Sequence, residues 1–585
     1  MTALIDIRHI SYAYPTPGRN TPPALNDLSL QIAAGDYVAI VGANGSGKST
    51  LARHLNALLV PDDGYVRVGG LNTRDRAHHT EIRRTVGMVF QRPEDQIVAT
   101  VVEHDVAFGL ENLGLDPDII RARVEDTLKA VSLWGERERP PHMLSAGQMQ
   151  RLALAGILAM RPDCIVFDEA TAMLDPVGRQ ATRQMMRDLN NDGLTILTIT
   201  HRMDEALDAD RVVVLDHGRV ALDDVPARIF RNAEVLHRLG LDVPSLAKLA
   251  TALRRAVPDL PEDATTVTSL VGAIDAYPHR TTPITQEPPA PPAQTMAIVE
   301  AHGLSHTYMR GTPFARQSLD HVDIAVHAGG AHGLVGATGS GKSTLMQHLN
   351  GLLRPQEGTV HVAGHDLSDA KTDLRAIRRM AGLVFQRPEV QIFEQYVGDE
   401  ISYGPRLAGL AGEELRSRVR WAMDLVGLDF EGFKDRMTFA LSGGEQRKVA
   451  LASTLALQPR VLLLDEPTAG LDPRSRTELL ARVSHLQKTG VTLILSSHEM
   501  TDITALTQRI TVMDHGRSQY TGSVAEIFAD GERLQNWGLA QPVVTQVAEG
   551  LRSRGWPLAV GIVDSEHLSQ ALAHELGTAI LGPRR

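Results

Sequence analysis

Short apolar runs alternate with stretches of helical period along this chain, and the whole pattern occurs twice. Tyr37-Val38-Ala39-Ile40-Val41 reads as a buried strand. Ile165 to Phe167, Thr195 to Ile199 and Val212 to Leu215 continue the first set, and Val461 to Leu464, Leu493 to Leu495 and Ile510 to Met513 belong to the second. Each set is preceded by turn-rich, alternating sequence suited to short strands: Leu4 to Ile10 and Leu28 to Ile32, then Ile298 to Leu304 and Val322 to Val326. Val86 to Phe90 and Ala381 to Phe385 read as one further strand in each copy. Between them, Ile120, Val124, Leu128 and Val131 recur at helical spacing, as do Leu415, Val419, Met423 and Val426. Asp116-Pro117 has the form of an N-cap followed by proline at the first helical position. Buried strands alternating with helices predict an α/β fold with a mostly parallel core sheet. Each copy would add a β-rich N-terminal part and a helical subdomain.

The duplication is almost in register. Gly42 matches Gly336 at an offset of 294 (336 − 42), and Gln91 matches Gln386 at 295 (386 − 91). Ser145 and Ser442, Glu169 and Glu466, and His201 and His498 match at 297 (442 − 145, 466 − 169, 498 − 201). A period this long means duplicated domains and not a solenoid. The expected organisation is a first cassette over 1–227, a helical accessory segment over 228–280, a linker over 281–297, a second cassette over 298–526 and an accessory segment over 527–585. The stretch from Arg228 to Ala276 is expected to belong to neither core, and the tail from Ile527 mirrors it. Thr282 to Pro292 is proline-rich and reads as a semi-rigid spacer.

Composition narrows the picture further. The 585 residues allow about four domain-sized units. A net charge of −11 argues against a dedicated nucleic-acid binder. A single cysteine, Cys164, excludes an internal disulfide and a cysteine-rich zinc site, and its place in an apolar strand marks it as a packed small residue. The first residues lack a signal-peptide layout, and no run approaches the ~18 apolar residues of a membrane span. The expectation is a soluble, cytoplasmic chain whose membrane role, if any, comes through a partner.

The candidate chemistry starts at Gly42-Ala43-Asn44-Gly45-Ser46-Gly47-Lys48-Ser49-Thr50 and returns at Gly336-Ala337-Thr338-Gly339-Ser340-Gly341-Lys342-Ser343-Thr344. Both fit the phosphate-binding P-loop, placed between a strand and a helix. Gly42, Asn44, Gly45, Ser46, Gly47 and Thr50 would cradle phosphates, as would Gly336, Thr338, Gly339, Ser340, Gly341 and Thr344. Lys48 and Lys342 would reach the β- and γ-phosphates, and Ser49 and Ser343 would bind Mg²⁺. Asp168 and Asp465 end apolar strands, where a carboxylate can meet the same ion. Glu169 and Glu466 follow directly, placed to orient an attacking water as bases. Leu144-Ser145-Ala146-Gly147-Gln148 and Leu441-Ser442-Gly443-Gly444-Glu445 each open a helical pattern, so Ser145, Gly147, Gln148, Ser442, Gly443 and Gly444 form a second anion cradle in each copy.

Taken together these elements resemble a tandem ATP-binding-cassette (ABC) ATPase over roughly residues 4–225 and 298–525. The resemblance implies that Gln91 and Gln386 are Q-loop glutamines, catalytic and facing the metal. It implies that Met173-Leu174-Asp175 and Gly470-Leu471-Asp472 are D-loops, that His201 and His498 sense the γ-phosphate, and that Tyr14 and Tyr308 stack on adenine. In that family ATP lies between the P-loop of one cassette and the signature of another, so the two cassettes of this chain are expected to pair. Fusion would raise the effective concentration of each for the other. The chain departs from the usual pattern at Ala146, where glycine is usual, and at Ala170, where the second copy has Pro467.

The stretches Phe90-Gln91-Arg92-Pro93-Glu94-Asp95-Gln96-Ile97 and Phe385-Gln386-Arg387-Pro388-Glu389-Val390-Gln391-Ile392-Phe393 resemble the ATPase subunits of energy-coupling-factor importers for vitamins or cobalt and nickel. That likeness implies a transmembrane coupling subunit docked over residues 91–108 and 386–403, a separate substrate-binding membrane subunit, and a place on the cytoplasmic face of the membrane. A tandem sugar-importer ATPase and a soluble ABC protein acting on ribosomes are the alternatives. The first usually carries one degenerate half, and the second a long basic linker.

Overall fold

The computed structural model describes residues 3–15, 23–172, 174–258, 260, 266–278, 296–312 and 314–577. The proline-rich segment Thr282 to Pro292, Met173 of the first D-loop and the side chain of Ala146 lie outside the described residues. The described chain divides into two compact units, Met1–Lys248 and Leu249–Arg585.

In the first unit a six-stranded sheet runs in the order Arg219–Asp224, Arg211–Asp216, Tyr37–Val41, Thr195–Ile199, Cys164–Asp168, Val86–Val89. All pairings are parallel except that of the first two strands. The residues of Tyr37–Val41 are all buried, because both faces of the strand are covered. Val38 and Ile40 face a core shared with Ile5, Ile7, Leu28 and Ile32. Tyr37, Ala39 and Val41 point the other way, into a core with Phe167, Ile196 and Phe230. The first core is closed by a four-stranded antiparallel sheet that includes Ala3–Tyr12 and Leu25–Ala33. Leu25–Ala33 alternates buried and open positions along its length, as expected of a strand with one wet face.

The helical subdomain is built from Val102–Asn112, Pro117–Ala130 and Ala146–Ala159, packed through Val106, Leu110, Val124, Leu128, Leu152 and Ala155. Asp116 caps the second of these helices by accepting from the backbone N–H of Asp118, with Pro117 in the first turn.

The second unit repeats the plan. Its six-stranded sheet runs Ala381–Val384, Val461–Asp465, Thr492–Ser496, Ala331–Val335, Arg509–Asp514, Arg517–Ser523, again antiparallel only at the last pair. Leu334 packs with Val299 and Val322 on one face, while Ala331 and Val335 join the opposite core.

The stretch after the first cassette's last strand differs from expectation. Ile229, Phe230, Leu236 and Leu241 are buried in the cassette's own core, so the helices Pro226–Arg231 and Ala233–Arg238 belong to that core. Val524, Ile527, Phe528 and Leu534 do the same in the second cassette. Farther on, Val267–Asp275 packs against Val543–Arg552 within the second unit. Asp275 accepts there from Trp556 Nε1 at 2.9 Å and from Arg554 Nη1 at 3.2 Å. Among the described residues no helix is long and apolar enough to cross a membrane. Cys164 is fully buried, and burial pushes its thiol pKa upward.

Candidate functional site

Each phosphate loop joins the C-terminal end of a fully buried parallel strand to a helix, Lys48–Leu55 in the first cassette and Lys342–Leu349 in the second. Ligands of open α/β sheets bind at this edge. Gly47 and Gly341 cap these helices in the left-handed region at φ 101°. A methyl group there would also lie 2.5 Å from the carbonyl oxygen of Ala24, or 2.7 Å from that of Ser318, so glycine is required twice over. Lys48 Nζ donates to the carbonyls of Gly42 at 2.8 Å and Ala43 at 2.9 Å, and Lys342 does the same to Gly336 and Ala337. Both lysines therefore stand inside the loop, where phosphate oxygens can take over these bonds.

The carboxylates come to the same edge. Asp168 ends the strand Cys164–Asp168, and Ser49 Oγ donates to its Oδ1 at 3.0 Å. Burial pushes Asp168 up to about 6, against the hydrogen bond from Ser49. Burial likewise raises Asp465, against hydrogen bonds from Ser496 and Ser343. Two oxygen donors side by side, one an otherwise poorly compensated carboxylate, fit a hard cation such as Mg²⁺, which takes one or two protein oxygens and the substrate's phosphates. Its charge would reverse the burial effect.

Glu169 and Glu466 both adopt φ 50°, a left-handed conformation that a glutamate does not take without cause. The turn aims each carboxylate back over the site. Gln91 Nε2 donates to Glu169 Oε2 at 2.9 Å, and His201 Nδ1 lies 3.4 Å from Oε1. In the second cassette His498 Nδ1 lies 2.6 Å from Glu466 Oε2. Burial alone would raise both glutamates. His201 and Lys48 outweigh it at Glu169, and His498 and Lys342 at Glu466, so both sit below the usual range as carboxylates that can accept a proton.

Ser145 and Ser442 cap the helices Ala146–Ala159 and Gly443–Leu455 through capping boxes with Gln148 and Glu445. A methyl group on Gly147 or Gly443 would meet nothing within 4 Å, and on Gly444 only the Leu471 side chain at 3.7 Å. Packing inside each cassette does not ask for glycine at these positions. They leave the N-terminal turn of the helix open to a close approach from outside.

Tyr14 and Tyr308 place their hydroxyls 3.2 Å from Thr50 Oγ1 and 3.3 Å from Thr344 Oγ1. Both rings are more than a third exposed, at 42% and 38%, so they are accessible to a base. Tyr308 and Lys342 line a cavity of about 440 Å³ in the second cassette.

Two further residues escaped the motif search. Ser496 Oγ donates to Asp465 Oδ1 at 2.6 Å and accepts the backbone N–H of Glu466 at 3.0 Å. Buried Arg447 donates to the carbonyls of Pro467 at 2.7 Å, Ala469 at 2.6 Å and Gln386 at 2.8 Å. It thereby ties the helix Gly443–Leu455 to Gln386 and to the segment after Glu466. At the 297-residue offset the first copy has Ile199 and Gln150. That mismatch between otherwise matching copies was the available signal.

A duplicated phosphate loop at the edge of a mostly parallel sheet, with an Asp-Glu pair two strands away, defines a tandem P-loop nucleoside triphosphatase. The chain belongs to the ABC transporter family, whose model matches residues 25–172 and 319–469. It is 33% identical to a Caldanaerobacter subterraneus subsp. tengcongensis protein described only as an ABC transporter ATP-binding protein, over 90% of this chain and 93% of that one. It is 52% identical to the energy-coupling factor transporter ATP-binding protein EcfA1 of the same organism, over 44% of this chain and 92% of that one. Among solved structures, cbiO1 from Clostridium perfringens, part of the ABC transporter complex cbiONQ, is 33% identical with a TM-score of 0.37, covering 41% of this chain and 94% of that one. The protein is accordingly an ATP-binding, ATP-hydrolysing member of that family.

Proposed function

We propose that this chain is the ATPase of an energy-coupling-factor type importer, lying on the cytoplasmic face of the membrane against a separate transmembrane coupling subunit. A further membrane subunit would bind the solute. Half-chain identity of 52% to EcfA1 supports this reading. So do the exposed apolar side chains Val98, Phe108, Val390, Phe393 and Tyr403 along the two candidate docking stretches, 91–108 and 386–403.

The observation that carries the proposal is the hydrogen bond from Gln91 Nε2 to Glu169 Oε2. Gln91 begins the docking stretch, and Glu169 is the candidate base. A partner that moves the first therefore moves the second, which is what coupling transport to hydrolysis requires. In this reading Lys48 and Lys342 hold the phosphates of ATP, while Glu169 and Glu466 each orient a water and take its proton. His201 and His498 fix those carboxylates. Ser49, Asp168 and Gln91 would hold Mg²⁺ in one cassette and Ser343, Asp465 and Gln386 in the other, and the ion would neutralise phosphate charge. Ser145, Gly147 and Gln148, and likewise Ser442, Gly443 and Gly444, would offer a second anion cradle to a nucleotide.

The test is co-purification from the native host with ATP present, using the tagged Glu169→Gln, Glu466→Gln chain and gently solubilised membranes. Two small integral membrane proteins in the eluate are the expected result. Ribosomal proteins without a membrane partner would move the chain to the translation-factor branch of the family.

A further inference from the structure

The second cassette carries a basic residue at the start of a strand that borders its phosphate loop. In the second cassette the strand Arg316–His327 extends far enough for Arg316 to pair with Tyr308. In the first, pairing with the corresponding strand ends at Tyr12 opposite Leu25. At the common offset of 294 the sequence has Pro22 (316 − 294), which lies outside the described residues. Proline offers no side-chain donor and no charge.

Arg316 lies on the wall of the 440 Å³ cavity together with Tyr308, Gly339, Lys342 and His515. A methyl group built on Gly339 would stand 3.6 Å from Arg316 Nη2, which places the guanidinium beside the phosphate loop itself. Ser318, two residues on, is 2.8 Å from Thr344 Oγ1 and pins the strand to the helix that follows the loop. Among the described residues the Arg316 guanidinium makes no hydrogen bond or ion pair, and the side chain is exposed. An arginine at a strand start is often only a solvated charge. This one is held beside the phosphate loop that carries Lys342, an arrangement that suits a polyanion.

We propose that Arg316 binds a phosphate oxygen of the nucleotide held by the loop Gly336 to Thr344. This rests on the reading of that loop as a nucleotide site. The contact makes nucleotide binding at this loop tighter and more sensitive to salt than the loop alone would be.

The experiment is equilibrium titration of the full chain with a fluorescent ATP analogue in EDTA, in a Lys48→Ala background that silences the first loop. Arg316→Ala and Arg316→Gln should each weaken binding about fivefold, as loss of one exposed charge-assisted hydrogen bond does. Both should flatten the salt dependence, while the matching adenosine analogue binds as before. Arg316→Lys should recover part of the loss. Binding of the ATP analogue within twofold of the parent in both Ala and Gln variants overturns the proposal, as does an equal loss for ATP and adenosine. Adding Lys342→Ala separates the two claims. If that chain still binds as its parent, the loop assignment fails and not merely the role of Arg316.

Discussion

His498 Nδ1 stands 2.6 Å from Glu466 Oε2, whereas His201 Nδ1 stands 3.4 Å from Glu169 Oε1 and Gln91 takes the other oxygen. One candidate base is held by its histidine and the other is shared with Gln91. Both carboxylates are positioned in the same strained turn.

The first prediction follows from that turn. Glu169→Gln and Glu466→Gln should each lower ATP turnover, and together by at least about 100-fold, the scale of a lost general base. Phosphate release under saturating ATP measures it. A doubly substituted chain working at the parental rate would remove both residues from the catalytic role.

Ser496 gives the second. It orients Asp465 and the backbone of Glu466 at once, and no equivalent hydroxyl stands at Ile199. With Glu169→Gln silencing the first cassette, Ser496→Ala should slow single-turnover hydrolysis about fivefold, the value of roughly one hydrogen bond. Nucleotide affinity should change less than the rate. Unchanged turnover would reduce Ser496 to a packing residue.

Much of this was legible in the chain. Buried parallel strands announce themselves as apolar runs, so the strand Thr195–Ile199 fell where the periodicity put it. The antiparallel strands ran longer than their apolar stretches. Ala3–Tyr12 and Arg316–His327 are extended by backbone pairing, which side-chain hydropathy does not record. The phosphate loops, Asp-Glu pairs and histidines were legible because each is a fixed spacing repeated twice. The contacts of Ser496 and Arg447 were not, because they join segments distant in the chain. The helices after each core also misled. Their amphipathic faces look the same whether they cover their own cassette, as Phe230 does, or another element, as Ile274 does.

Arg447 carries the third prediction. The residue is 8% exposed, and its guanidinium supplies hydrogen bonds to three carbonyls. Truncation removes all three of these hydrogen bonds at once, so Arg447→Met should cost about 2–4 kcal/mol of the second unit's stability. Arg447→Lys should not rescue it, because one ammonium cannot span the planar fork. Urea unfolding followed by tryptophan fluorescence reads both. Parental stability in the lysine variant would show that charge, and not the fork, is what matters.

The last prediction concerns acid. His332 lies inside the strand Ala331–Val335, with Nε2 2.8 Å from Thr511 Oγ1. Burial, with Arg509 and His327 nearby, pushes its pKa from 6.5 down to about 3. A histidine depressed on folding is protonated first in the unfolded chain, so it favours unfolding as pH falls below 6.5 and costs nothing above it. His348, pushed down to about 4, acts in the same direction. The first cassette carries Val38 at the position of His332 (332 − 294). His332→Val should therefore leave unfolding at about pH 7.5 nearly unchanged, yet retain about 1–2 kcal/mol more stability than the parent at about pH 5. Thr511 keeps a partner in Thr521 at 2.8 Å, so the substitution does not strand its hydroxyl. Urea midpoints at the two pH values measure the difference. If parent and variant lose stability equally on acidification, His332 is not the group that takes the proton, and His348→Gln becomes the variant to compare.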